Sequence, residues 1–247
     1  MIRGLYTASA GMRQRLLAME VVANNLANIN TAGFKRDDLF ARLLDEHAAP
    51  PDPLNADASG LEMKRFTDHS EGSLEQTNHP FHAALQGPGF FVLETPNGVR
   101  YTRNGRFTLS ADGTLVNEQG FAVQGMNGHI RVQDAERVAG GDIVIGERGD
   151  VSQKDRVIDR LRVVNFDDLS LLNKEEDANF RTDAREVPLD LDSHVTAIRQ
   201  GFLEDSNVDG IEEMVAMIEL SRNFESSQRA LQSQDATLDR SLEIGRL

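Results

Sequence analysis

Six histidines and 40 carboxylates, with no cysteine, set the chemistry that this sequence of 247 residues could perform. The run Asp205-Ser206-Asn207-Val208-Asp209-Gly210 opens like a calcium loop, D-x-N-x-D-G. The loop's twelfth position falls on Ala216, where calcium needs a bidentate Glu, so helix capping is the expected use of these residues. His79-Pro80-Phe81-His82 places two imidazoles close together, but zinc hydrolysis needs a third ligand and a base, and Pro80 rules out helical spacing. Asp68-His69-Ser70 names the residue types of a triad, yet consecutive side chains do not converge, and no G-x-S-x-G elbow exists. Gly87-Pro88-Gly89 precedes a strand pattern, not a helix, so it is a turn and not a phosphate cradle. The expectation is a chain with no catalytic residue, no cofactor and no metal.

The elements around these residues are patterned more strongly than the residues themselves. Leu5, Met12, Met19 and Leu26 fall seven apart, with Leu16 and Ala23 four after the two methionines, which is an a/d-like row along one helix. Arg15 lies off that row. Met217, Phe224, Leu231 and Leu238 repeat the spacing near the other end, widened by Met214, Ile218 and Leu220. The first helix is expected to fade at Asn28-Ile29-Asn30-Thr31-Ala32-Gly33, with Gly33 as a left-handed cap. The last is expected to start at Asp209, whose pairing with Glu212 has the capping-box pattern. Burying a large apolar side chain is worth about 1.5–3 kcal/mol. Ordering a residue costs about 1.5 kcal/mol. Seams this narrow do not hold their helices alone and call for further partners.

Between the ends the period changes. Ala48-Ala49-Pro50-Pro51-Asp52-Pro53 reads as an extended linker. From Phe81 onward short apolar runs are separated by Pro96-Asn97-Gly98, Asn104-Gly105, Asp112-Gly113 and Gln119-Gly120, a β-hairpin signal. Ile130/Val132, Ile143–Ile145 and Leu161–Val164 continue it, while Ser170 to His194 is acidic and irregular. The expected fold is α+β: a β-rich central domain (66–200) with long N- and C-terminal helices (1–35 and 201–247) that pair in a coiled-coil-like assembly domain, and a linker at 36–65.

Composition narrows the partners. The net charge is −14, and no run of Lys and Arg could displace counterions from nucleic acid or hold an anionic membrane. No window approaches a membrane span. Arg13, Gln14 and Arg15 interrupt the first apolar stretch, so a signal peptide is not expected there.

Three stretches then resemble a known family. Ala23-Asn24-Asn25-Leu26-Ala27-Asn28-Ile29-Asn30-Thr31-Ala32-Gly33-Phe34-Lys35 is similar to the N-terminal signature of flagellar rod and hook proteins, with Ala32 where members often have Pro. Gly4 to Ala8 and Gly11-Met12 resemble its preceding helix. Gly87 to Val92, Tyr101-Thr102-Arg103-Asn104-Gly105 and Phe107 resemble its β domain. Gly201-Phe202-Leu203-Glu204, Ser206-Asn207-Val208 and Glu213 through Glu225 resemble its C-terminal signature. The resemblance implies a structural subunit of the flagellar rod that assembles with copies of itself and with other rod proteins. It implies secretion by the flagellar type III export apparatus without a cleaved signal, terminal helices in the inner tube and the β domain outside. The chain is short for a hook protein. Met217 to Glu225 and the short segment after Lys35 lean toward the proximal rod, with the distal rod or a hook-like axial protein as the alternative. A secreted binding or hydrolytic domain is the rival from another class, and it lacks a convergent polar triad.

Overall fold

A computed structural model describes residues 2–43, 61–132, 143–154, 156–175, 178–182, 189–190 and 196–244. The chain forms two compact units, one of Met1–Ala27, Asp37–Asp68 and Asp209–Leu247, the other of Asn28–Arg36 and His69–Val208. The Pro-rich stretch Ala48–Pro53 lies outside the described residues.

The first unit holds α1 (Ile2–Ala27), α2 (Gly210–Ile244) and a two-stranded antiparallel ribbon of Asp37–Leu43 with Leu61–Thr67. α2 starts where its cap dictates: the Asp209 carboxylate accepts from the amides of Ile211 at 2.8 Å and Glu212 at 3.2 Å. Glu212 and Glu213 occupy the positive end of the helix dipole.

The expected coiled-coil-like pairing is corrected here. The described residues hold 19 strands in five sheets against two α-helices, so the chain is strand-rich, and the unit containing the helices contains a β-ribbon as well. A coiled coil buries its a and d side chains in holes on the facing helix. Here Leu16 and Ala23 are exposed, and Met12, Met19, Leu26, Met217, Phe224 and Leu231 are only half-buried. The buried positions on α1 are Val21 and Asn25, so its inward face is rotated off the heptad row. Two polar contacts link α1 to α2 among the described residues: Arg15 Nη1 donates to Ser227 Oγ, and Asn25 Nδ2 to Glu213 Oε1. Arg15 thus belongs to the inward side.

The second unit is built on strand Phe90–Thr95, in which Phe90, Phe91, Val92 and Leu93 are all buried. Alternate side chains leave opposite faces of a strand. Phe91 and Leu93 join a core with Phe107, Leu115, Val123 and Ile130, while Phe90 and Val92 join another with Tyr101, Val164, Phe166 and Phe180. One edge of this strand pairs with Gly98–Thr102 through the two-residue turn Pro96-Asn97. Its other edge pairs with Val163–Asn165 near the start and Ala122–Gly125 near the end. Hairpins at Asp112-Gly113 and Gln119-Gly120 add Thr108–Leu109 and Leu115–Val116 in the expected places. The segment that reads as irregular also contributes strands: Leu172–Lys174 and Asn179–Thr182 extend the same sheet beyond Gly98–Thr102. Ile143–Ile145, Asp150–Gln153 and Arg156–Arg160 form a separate meander. Ala83–Gln86 pairs with Ala197–Gln200, and Leu74–Gln76 with Phe202–Glu204.

Candidate assembly site

The three motif stretches, remote in sequence, meet in the second unit around one carboxylate. Glu204 ends strand Phe202–Glu204 and is 1% exposed. Its Oε1 accepts from Lys35 Nζ at 2.5 Å and from the amide of Gly72 at 3.1 Å, and its Oε2 from Arg103 Nη1 at 3.2 Å. Lys35 and Arg103 are themselves buried, at 0% and 4% exposure. Burial pushes the Lys35 ammonium below its ordinary range, the Glu204 carboxylate opposes that shift, and the Arg103 guanidinium adds to it. Two cations share one anion, so each depends on the Glu204 carboxylate being in place.

Backbone contacts complete the junction. The amide of Gly33 donates to the Glu204 carbonyl at 2.7 Å, and the Arg36 amide to Asn207 Oδ1 at 2.7 Å. Lys35 Nζ also donates to the Ser70 carbonyl at 2.5 Å, which accepts from Asn207 Nδ2 at 3.2 Å as well. Lys174 Nζ donates to the Lys35 carbonyl at 2.5 Å and sits 3.5 Å over the Phe34 ring. Arg103 Nη2 reaches the Gly87 carbonyl at 2.9 Å, tying in the Gly87-Pro88-Gly89 turn. Gly33 is left-handed, at φ 67°, but it is no helix cap, because α1 stops at Ala27. Its role is close approach: a Cβ there would lie 2.4 Å from the Arg103 carbonyl carbon.

A second polar junction lies in the first unit. Asn25 presents its amide to the backbone of Asp37, donating to the carbonyl at 2.8 Å and accepting from the amide at 3.0 Å. The same Nδ2 lies 3.3 Å from Glu213 Oε1, and both residues are 1% exposed. The Asp37 carboxylate accepts from Thr67 Oγ1 at 2.7 Å. One asparagine thereby joins α1, α2 and the ribbon.

Of the other signature residues, Phe34 is buried with Ala178 and Val208, Thr31 Oγ1 donates to Asn28 Oδ1 at 3.1 Å, and Asn24, Ala27 and Asn30 are exposed. Leu5 and Leu238 lie within the helices, and their side chains are outside the described residues. Leu26 is half-buried. Lys35, Arg103 and Glu204 stand inside the recognised motifs, yet sequence reasoning gave them no role. Lys35 and Arg103 are each the one charged residue of their motif, which is the signal that could have found them, whereas Glu204 shares its motif with other charged residues. The loop-like run at Asp205 is spent on structure, with Ser73 Oγ donating to Asp205 Oδ2 at 2.7 Å and Asp209 capping α2. Among the described residues no cluster of His, Asp and Glu could hold a metal ion.

Comparison with known proteins matches these segments in order. Residues 5–35 match the flagella basal body rod protein family, 84–153 the flagellar hook protein FlgE/F/G D1 domain, and 199–244 the flagellar basal body rod FlgEFG protein C-terminal family. The flagellar basal-body rod protein FlgF of Caulobacter vibrioides is 34% identical over 227 residues, covering 90% of this chain and 89% of its own. FlgG of Bacillus subtilis is 30% identical over 265 residues, covering all of both chains. FlgF of Rhizobium meliloti is 29% identical, over 97% of this chain and 96% of its own.

Proposed function

The chain belongs to the flagellar basal-body rod protein family, and from that premise we propose that it is the proximal rod subunit, polymerising through the surfaces of its helical unit. It is a structural subunit of the basal-body rod, located in the flagellar basal body, and not an enzyme. The observation that carries the proximal reading is the helix segment Met217-Ile218-Glu219-Leu220-Ser221-Arg222-Asn223-Phe224-Glu225, which leans toward that type.

In this reading the partners are further copies of the chain, other rod proteins and the flagellar type III export apparatus. The rod crosses the periplasm and transmits torque. Residues 1–35 and 201–247 carry assembly and 66–200 form the outer body, while the stretch 36–65, read from the sequence as a linker, includes the strand Asp37–Leu43 of the helical unit's ribbon. The exposed Leu16 and Ala23 are free to meet a neighbour. The signature Asn24, Asn25, Leu26, Ala27, Asn28, Asn30, Thr31, Gly33 and Phe34 runs from the last turn of α1 into the turn that follows it.

The order of assembly tests the proximal reading. Basal bodies isolated from cells lacking this chain should stop short of the distal rod and contain no distal rod subunit. Recovery of distal subunits in those basal bodies would overturn it.

A further inference from the structure

Three turns of the second unit meet at one end of its large sheet. One is Pro96-Asn97, between the paired strands Phe90–Thr95 and Gly98–Thr102. Another follows Gln119-Gly120 and delivers Phe121 to the start of strand Ala122–Gly125. The last runs from Glu175, whose amide donates to the Asn179 carbonyl at 2.8 Å, to Asn179, which pairs with Thr102. Together they border an open cleft of about 510 Å³, within the roughly 300–1,000 Å³ of small-molecule sites. Its lining residues take no part in the junctions around Glu204 and Asn25.

The groups on the cleft wall differ in what they already hold. Arg100, 8% exposed, donates from Nε to Glu175 Oε2 at 2.6 Å and from Nη1 to the carbonyls of Asn97 at 3.2 Å and Val99 at 3.0 Å. Glu175 Oε1 also lies 3.5 Å from the exposed Arg181 Nη1. Guanidinium and carboxylate thus answer each other, and the cleft offers no bare charge. Asn179 is also 8% exposed, yet its side-chain amide has no hydrogen-bond partner among the described residues, and what remains of its surface opens on the cleft. Buried amides in native proteins are hydrogen-bonded, so one without a protein partner at a cleft wall points to a polar ligand there. The side-chain amide of the exposed Asn97 is likewise unpartnered among the described residues. Phe121 is half-buried and belongs to neither apolar core of the unit, and the exposed Pro96 lines the cleft with it.

We propose that the cleft binds a neutral pyranose sugar. An amide carries donors and an acceptor side by side, and a hydroxyl both donates and accepts, so the amides of Asn97 and Asn179 suit neighbouring hydroxyls of one ring. The C–H face of such a ring is apolar, and Phe121 and Pro96 supply apolar surface to receive it. A phosphate or carboxylate would find its natural partner, Arg100, already engaged, with the Glu175 carboxylate beside it repelling an anion. The site lies wholly in the second unit and does not depend on how the chain assembles. A free oligosaccharide and a sugar within an insoluble glycan present the same ring, and an open cleft admits either.

The test titrates the full-length protein with triacetylchitotriose and with maltotriose while NMR follows its chemical shifts. Saturable shifts at the side-chain amides of Asn97 and Asn179 and at Phe121 are expected with at least one of the two. Asn179→Ala should weaken that binding by about tenfold and leave the melting temperature unchanged, since the amide holds nothing within the fold. Asn173→Ala, an exposed asparagine on the same sheet, should alter neither. Co-sedimentation with murein sacculi separates the two sources. Pelleting that Asn179→Ala abolishes identifies an insoluble glycan, binding of a trisaccharide without pelleting identifies a free one, and either upholds the sugar site. The absence of saturable shifts at these residues with both sugars, or an unaltered affinity in Asn179→Ala, overturns the proposal. So does inorganic phosphate binding more tightly than either sugar at the same residues.

Discussion

Replacing Glu204 by Ala is the severest single test of the junction that joins the three motifs. The change removes the acceptor of Lys35 at 2.5 Å, of Arg103 at 3.2 Å and of the Gly72 amide at 3.1 Å, all within a site that water does not reach. Breaking a buried ion pair from one side costs about 3–5 kcal/mol, because the remaining charge is left uncompensated. Here two cations remain, so the upper part of that range is expected. For a domain of this size 1 kcal/mol corresponds to roughly 2–4 °C, so the melting temperature should fall by about 10 °C or more. Urea unfolding of the full chain at fixed ionic strength measures the loss. The charge argument makes a further demand: Lys35→Met should relieve part of the Glu204→Ala penalty, because the double variant buries one orphan cation instead of two. Independent sites add to within about 0.5 kcal/mol. Strict additivity of the two changes, or a Glu204→Ala loss under about 1 kcal/mol, would refute the reasoning.

Asn25→Ala should cost about 1–3 kcal/mol by stranding the Asp37 backbone groups, with faster amide exchange in α1 and the ribbon and none of that change in the sheet of the second unit. Gly105→Ala should destabilise by about 1–3 kcal/mol or more in a thermal melt, since a Cβ there would fall 1.5 Å from the Ala83 carbonyl oxygen. His82 is held down to about 4 by burial, then by neighbouring His79 and Arg106. Its unfolded form takes up a proton near 6.5, so stability should be complete above that pH and decline as pH falls toward 4; His82→Gln should flatten that part of the stability profile, and an unchanged profile would dismiss the assignment. Leu231→Asp should abolish rod assembly while leaving the second unit folded, as read by motility and by its near-ultraviolet dichroism. Arg15→Asp, although off the heptad row, should also impair assembly, because Arg15 donates to Ser227 across the helix pair.

Local features of this protein are legible without tertiary structure because local physics sets them. Two residues between apolar runs, Pro96 and Asn97, make a hairpin wherever they are placed, and Asp209 caps whatever helix follows it. The strands at Leu172–Lys174 and Asn179–Thr182 were not legible, because each carries few apolar residues and owes its place to pairing with strands reached from far along the chain. The heptad rows identified the helices but not their contact face: a period of seven fixes a stripe, whereas which side turns inward depends on what the other elements offer, here Ser227 and Glu213 to Arg15 and Asn25.

The same division holds for the assembly junction. The sequence by itself determined the three motifs, their order and the family they mark. Only the tertiary structure decided that Lys35, Arg103 and Glu204 are one buried ionic group in which two cations share a single carboxylate. Lys35 and Glu204 are 169 residues apart, and a buried ion pair at that separation is chosen by topology, since the carboxylate is worth burying only where the fold brings both cations to it.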